Sequence, residues 1–283
     1  MRTMAMTNMA NFEYEQLCED RDCLRQYVRQ LFEEGVIKLF LGYRNEGGHL
    51  VPSIFETSDE LESLELDYYD SSNVIRYPIS DICRRLLEVL PEGKLGVFVR
   101  GCDERALIEM SKWNQVDLDR LVLVGIACTE DWIEKCGCRK PYPDALVVGV
   151  PISNIPHRKE AVEVLESLSV AERKNFWDEA FSRCIKCYGC RNICPVCFCR
   201  DCSLEDPLLV KPGQAPAEFP IFHLVRAVHM AGRCIDCGLC EEACPANIPL
   251  RILYRKINAI MEEEFQYQTG VKDDRVCPLN TIG

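Results

Sequence analysis

Cys184-Ile185-Lys186-Cys187-Tyr188-Gly189-Cys190-Arg191-Asn192-Ile193-Cys194-Pro195 is followed by Cys234-Ile235-Asp236-Cys237-Gly238-Leu239-Cys240-Glu241-Glu242-Ala243-Cys244-Pro245, and every cysteine of the first stretch recurs after 50 residues. Both read Cys-x-x-Cys-x-x-Cys-x-x-x-Cys-Pro. Three thiolates at this spacing wrap one face of a cubane iron–sulfur cluster, and the fourth, before proline, reaches the other cluster of a two-cluster module. The spacing therefore predicts a ferredoxin-like module with two [4Fe–4S] clusters. The expected ligand sets are crossed: Cys184, Cys187 and Cys190 with Cys244, and Cys234, Cys237 and Cys240 with Cys194. Structural zinc is built instead from separated Cys-x-x-Cys pairs.

Charge near the motifs differs. Arg183, Lys186, Arg191 and Arg200 flank the first group, and Asp236, Glu241 and Glu242 flank the second with Arg233 opposed. Local charge tunes cluster potential, so these neighbours predict the higher potential for the first cluster. Beyond Cys194 stand three more thiols within six residues, Cys197, Cys199 and Cys202. Exposed thiols are an oxidation liability unless coordination holds them as thiolates. A third metal site is expected here, either a further [4Fe–4S] cluster or zinc, with Cys136 or Cys138 as the fourth ligand. The alternative is that these cysteines are small packing residues.

Working back toward the N-terminus, the cysteines thin out: residues 184–244 hold eleven of the nineteen, residues 1–180 seven. Residues 36–43, 50–55, 95–99, 121–126 and 145–150 have strand character, and residues 82–90 and 106–113 have helical spacing. Such alternation predicts a parallel sheet covered by helices. Two prolines make residues 151–156 a linker. Helices are expected at 158–167, from a Ser169-x-x-Glu172 capping box to about 183, at 222–230 and at 250–265. The fold class is α+β, with an N-terminal α/β domain over residues 1–155 and a helical ferredoxin-like domain over 156–283. At Gly101-Cys102-Asp103 a strand meets a helix start, a junction that offers backbone N–H groups to a phosphate.

Composition excludes several classes. A formal charge of −12 argues against nucleic acid, which needs clustered Lys and Arg. With 47% hydrophobic and 28% charged residues the chain is of globular type. The longest apolar stretch, residues 121–128, is far short of the about 20 residues of a membrane span, and residues 1–15 have no secretory h-region. Cytoplasmic location is expected, where an odd set of nineteen cysteines points to metal rather than to a disulfide framework. His223 and His229, six apart on one predicted helix, share no face and form no catalytic pair.

Gly101-Cys102-Asp103-x-x-Ala106-Leu107, Val124-Gly125-Ile126-Ala127-Cys128 and Cys194-Pro195-x-Cys197-x-Cys199-x-x-Cys202 together resemble the beta subunits of deazaflavin-coenzyme-reducing hydrogenases and formate dehydrogenases. The likeness covers residues 90–270 in pattern. It implies an α/β domain able to hold a flavin such as FAD near Gly101, Cys102 and Asp103. It also implies clusters leading to other redox subunits of a hetero-oligomeric complex, which accompany hydrogenase, formate dehydrogenase or heterodisulfide-reductase-like proteins. Two further readings stay open: an iron–sulfur wiring module without flavin, and a small-molecule reductase acting at thiols Cys102, Cys128, Cys136 and Cys138. No role is read for Cys18, Cys23, Cys83 or Cys277.

Overall fold

A computed structural model describes residue 18 and residues 20–66, 75–90, 92–152, 160–218, 221–272 and 275–281. The N-terminal stretch 1–15, and residues 153–156 of the linker read at 151–156, lie outside these described residues.

The first half begins with α1 (Arg21–Glu33), whose first turn is capped by Asp20 accepting from the Cys23 amide at 2.8 Å. Strands β1 (Leu39–Glu46) and β2 (His49–Phe55) form a hairpin closed by Gly47 and Gly48, both at positive φ. A two-residue hairpin turn demands that conformation, which costs glycine nothing. Then come α2 (Ile79–Val89), β3 (Leu95–Val99), α3 (Gly101–Lys112), β4 (Leu121–Ile126), α4 (Glu130–Cys136) and β5 (Leu146–Val148). The sheet runs β2-β1-β3-β4-β5. Its last four strands are parallel, as the strand and helix alternation predicts. The hairpin adds one antiparallel edge strand, because two residues cannot carry a crossover. Strand β3 is buried at every residue, the pattern of a parallel strand covered on both faces.

The second half is helical: α5 (Glu160–Ser167), α6 (Val170–Ser182), α7 (Gly189–Asn192), α8 (Ile221–His229), α9 (Leu239–Glu242) and α10 (Leu250–Phe265). The capping box forms, with the Glu172 amide donating to Ser169 Oγ at 3.3 Å and the Ser169 amide donating to Glu172 Oε2 at 2.8 Å. Buried side chains make one continuous cluster, from Leu24, Phe40 and Leu95 in the first half to Phe222, Leu250 and Tyr254 in the second. Cys18 and Cys23 are joined by a disulfide, and the other described cysteines are free thiols.

Polar side chains fasten the halves together. Glu109 of α3, fully buried, accepts from Trp113 Nε1 at 2.9 Å, Tyr267 Oη at 2.8 Å and the Gly270 amide at 3.0 Å. Burial pushes its carboxyl above the usual range, while these donors pull it back. Replacing it strands three buried donors. Glu109→Ala is therefore expected to cost about 3–5 kcal/mol and Glu109→Gln about 1–2 kcal/mol in chemical denaturation. A loss below about 1 kcal/mol in the alanine variant would refute the clamp.

Candidate metal centre

The two cysteine motifs fold alike, residue for residue. Lys186 and Asp236 lie at φ 50° and 56°, and Tyr188 and Gly238 at 58° and 82°. Left-handed residues between right-handed ones turn successive N–H groups to one side, making a nest that suits anionic iron–sulfur sites. The amides respond accordingly. Those of Lys186 and Asp236 donate to the sulfurs of Cys184 and Cys234, and those of Gly189 and Leu239 to Cys187 and Cys237. The glycine occupies different positions in the two copies: Gly238 takes the left-handed place that Tyr188 fills in the first. Tyr188 is held there by its hydroxyl, which donates to Leu204 O at 2.7 Å.

Two cavities of similar size lie against these motifs. One, about 340 Å³, is lined by Cys184, Cys187, Cys190 and Cys244, with His223 on its wall. The other, about 350 Å³, is lined by Cys234, Cys237, Cys240 and Cys194, with Arg226 and Tyr254. Each cavity thus takes its fourth cysteine from the other motif. The walls also carry donors without acceptors. Neither ring nitrogen of His223, nor Arg226 Nε, nor the Tyr254 hydroxyl has a partner, although each residue is 2% exposed. Burying such groups unpaired costs about 1–3 kcal/mol each, so the chemistry of the walls calls for an acceptor inside. Sulfide and thiolate sulfurs are such acceptors, and the donor sets fit an iron–sulfur cluster. Burial and then Arg226 push His223 down to about 4, leaving it neutral.

Charge reaches the cavities from residues distant in sequence. Lys186 is paired with Glu218 at 3.3 Å and Arg191 with Glu205 at 2.6 Å. Asp236 is held by Arg251 and Arg255, each at 2.9 Å, and Glu242 by Arg76 at 2.6 Å. The flanking charges read from the sequence are therefore largely compensated. The buried cation on a cavity wall is Arg226, beside the second motif, where it donates to Cys190 O at 2.8 Å and to Cys197 Sγ at 3.6 Å.

Other candidate residues are placed differently. Gly101 lies under the loop at 140–142: a Cβ there would meet Lys140 O at 2.5 Å and Tyr142 N at 2.9 Å. Asp103 accepts from the Arg100 amide at 3.1 Å as the helix's own cap. Backbone closes one side of this turn and a carboxylate takes the place a phosphate would want, so the turn does not fit a flavin phosphate. Cys102 faces a third cavity with Cys128, and Cys136 and Cys138 line that same space. Cys199 instead accepts from Arg233, and Cys202 lies beside Arg191. Sequence reasoning missed Arg226, Arg76 and Arg251, whose proximity to the cysteines has no local signal.

A 4Fe–4S binding domain matches residues 227–249, the stretch that holds Cys234, Cys237, Cys240 and Cys244. The chain carries a 4Fe–4S domain. It is 42% identical over 106 residues to the F420-dependent formate dehydrogenase subunit beta of Methanocaldococcus jannaschii, covering 38% of this chain and 28% of that protein. It is 44% identical over 98 residues to the F420-dependent formate dehydrogenase 1 subunit beta of Methanococcus maripaludis, covering 35% of this chain and 25% of the relative. The resemblance to formate dehydrogenase beta subunits holds over that shared part, and the chain spans about a quarter of each relative's length. Among the described residues no helix is long and apolar enough to cross a membrane.

The nests carry a prediction. At Gly238 a Cβ would be strained by its φ of 82° and would press on Arg251 at 3.0 Å. Gly238→Ala should lose about 1–2 kcal/mol in denaturation of the anaerobic protein. An unchanged midpoint would contradict the tight backbone geometry assigned to the second motif.

Proposed function

We propose that the chain is an electron-relay subunit of a cytoplasmic, anaerobic oxidoreductase complex of the formate dehydrogenase kind, holding two [4Fe–4S] clusters with crossed ligands. The observation that carries this reading is the pair of four-cysteine cavities, each completed by a cysteine of the other motif and each lined by unpartnered buried donors. A bound cluster supplies one-electron uptake and release. The chain does the rest. Cys184, Cys187, Cys190 and Cys244 would hold one cluster, and Cys234, Cys237, Cys240 and Cys194 the other. Arg226 faces one cavity and bonds the backbone of a cysteine in the other, so it ties the two centres together.

Cys187 and Ile185 are exposed, which makes the first centre the edge nearer a partner. The net charge of −12 suits a partner with basic docking patches, since complementarity raises encounter rate and specificity. The flavin implied by the family likeness is suited less to the Gly101 turn than to a cleft of about 970 Å³ lined by Arg105, Lys140, Tyr267 and Cys234. Flavin released from anaerobically purified protein tests this. Equimolar flavin supports it, and its absence after preparation with added flavin leaves the relay as a wiring module.

The ligand sets are tested by substitution. Cys194→Ser should perturb the spectrum of the cluster held by Cys234, Cys237 and Cys240 while sparing the other, and damage confined to the Cys184 centre would sink the crossed arrangement. Potential offers a second check. Arg226→Gln should lower the midpoint of the second centre by about 50–100 mV in anaerobic redox titration, because one buried positive charge is lost beside it. Arg226→Lys should restore much of that shift.

A further inference from the structure

Cys102, Cys128, Cys136 and Cys138 belong to three different pieces of the sheet half. Cys102 is in the first turn of α3, Cys128 follows the end of β4, and Cys136 and Cys138 bracket Gly137, which ends α4 at φ 54°. Cys102 and Cys128 thus lie just beyond the carboxyl ends of neighbouring parallel strands, where open α/β sheets bind their ligands. The fold brings all four thiols to one cavity of about 320 Å³. The two cavities of the ferredoxin-like motifs measure about 340 and 350 Å³.

The likeness extends to the walls. Trp132, 2% exposed, lines this cavity with its Nε1 unpartnered, as His223, Arg226 and Tyr254 line the other two. Two guanidiniums face the thiols. Arg76, 8% exposed, donates to Cys136 Sγ at 3.5 Å and to Cys237 O at 2.8 Å. Arg100 lies over the Trp132 ring at 4.6 Å and lines the same space. Cations suit a group that brings negative charge into a buried place. Zinc fits less well: its four thiolates must converge at about 2.3 Å on one ion, and among the described residues no such convergence exists, here or in either motif cavity. A cubane's ligands stand farther apart, at its corners.

We propose that Cys102, Cys128, Cys136 and Cys138 hold a third [4Fe–4S] cluster in the sheet half, next to the centre of the second motif. Cys237 and Asp236 line both cavities, so one peptide segment separates the two sites. Exchange between them moves one electron and neither makes nor breaks a bond. Cys136 and Cys138 thereby serve this quartet rather than Cys197, Cys199 and Cys202.

The site shares its chemistry with the proposed relay, so its test separates the two. Iron and acid-labile sulfide are counted in anaerobically prepared full-length protein, in a Cys128→Ser, Cys138→Ser double variant and in a Cys240→Ser variant. Cys83→Ser, buried outside the cavity, controls for packing. The parent should hold about twelve of each atom, the double variant about eight, and the control about twelve. Mössbauer spectra of the parent alone should resolve a third cubane, which keeps the count readable if the double variant folds poorly. A parent with about eight iron atoms, unchanged in the double variant, overturns the third site and leaves the relay intact. About four iron atoms, lost in the double variant but not in Cys240→Ser, keep the third site and overturn the relay. About eight iron atoms plus one zinc that the double variant loses assigns the quartet to zinc and overturns the cluster.

Discussion

A negatively charged sulfur is costly to bury, and the architecture follows from that cost. Burial pushes the Cys237 and Cys128 thiols up to about 12, and in such surroundings a thiol stays protonated and inert unless a metal or cation stabilises the thiolate. Metal binding and folding are then coupled, because the ligands deprotonate only where the site is assembled. The chain surrounds its buried sulfurs with amide nests and guanidiniums. Those groups come from every part of the sequence, so the halves must meet before the sites are complete.

Arginine is the residue that makes the meeting possible. Arg76 reaches from the sheet half to Glu242 and the Cys237 carbonyl, and Arg251 and Arg255 reach from α10 to the carbonyls of Cys136 and Gly137. A planar fork with five donors can serve a carboxylate and a carbonyl together. Each such arginine fixes a cysteine-bearing loop while supplying the charge that loop needs. Asp236, acidic in a motif that must hold an anion, is tolerable because two guanidiniums neutralise it.

The sheet contributes position rather than chemistry. Its parallel strands end on one side, and the loops after β3 and β4 carry Cys102 and Cys128 to the face that α9 and α10 cover through Asp236 and Arg251. Glu109 anchors the far end of α3 to the C-terminal segment. Electron carriers benefit from such rigidity, since preorganised surroundings need little rearrangement when charge changes.

Much of this was legible in local pattern. Thiol spacing, the capping box at Ser169 and Glu172, the strands at 95–99 and 121–126 and the helix at 250–265 depend on residues within a few positions of one another. Short-range sterics and hydrogen bonds set them, so the sequence by itself determined the elements and the two cysteine motifs. Which charge faces which sulfur was decided only by the tertiary structure. Arg226 stands 36 residues from the Cys190 carbonyl it bonds, and Arg76 stands 161 from that of Cys237. The grouping of Cys102 and Cys128 with Cys136 and Cys138 likewise depends on parallel strand pairing, whose partners are distant in sequence and are chosen by burial of the whole sheet.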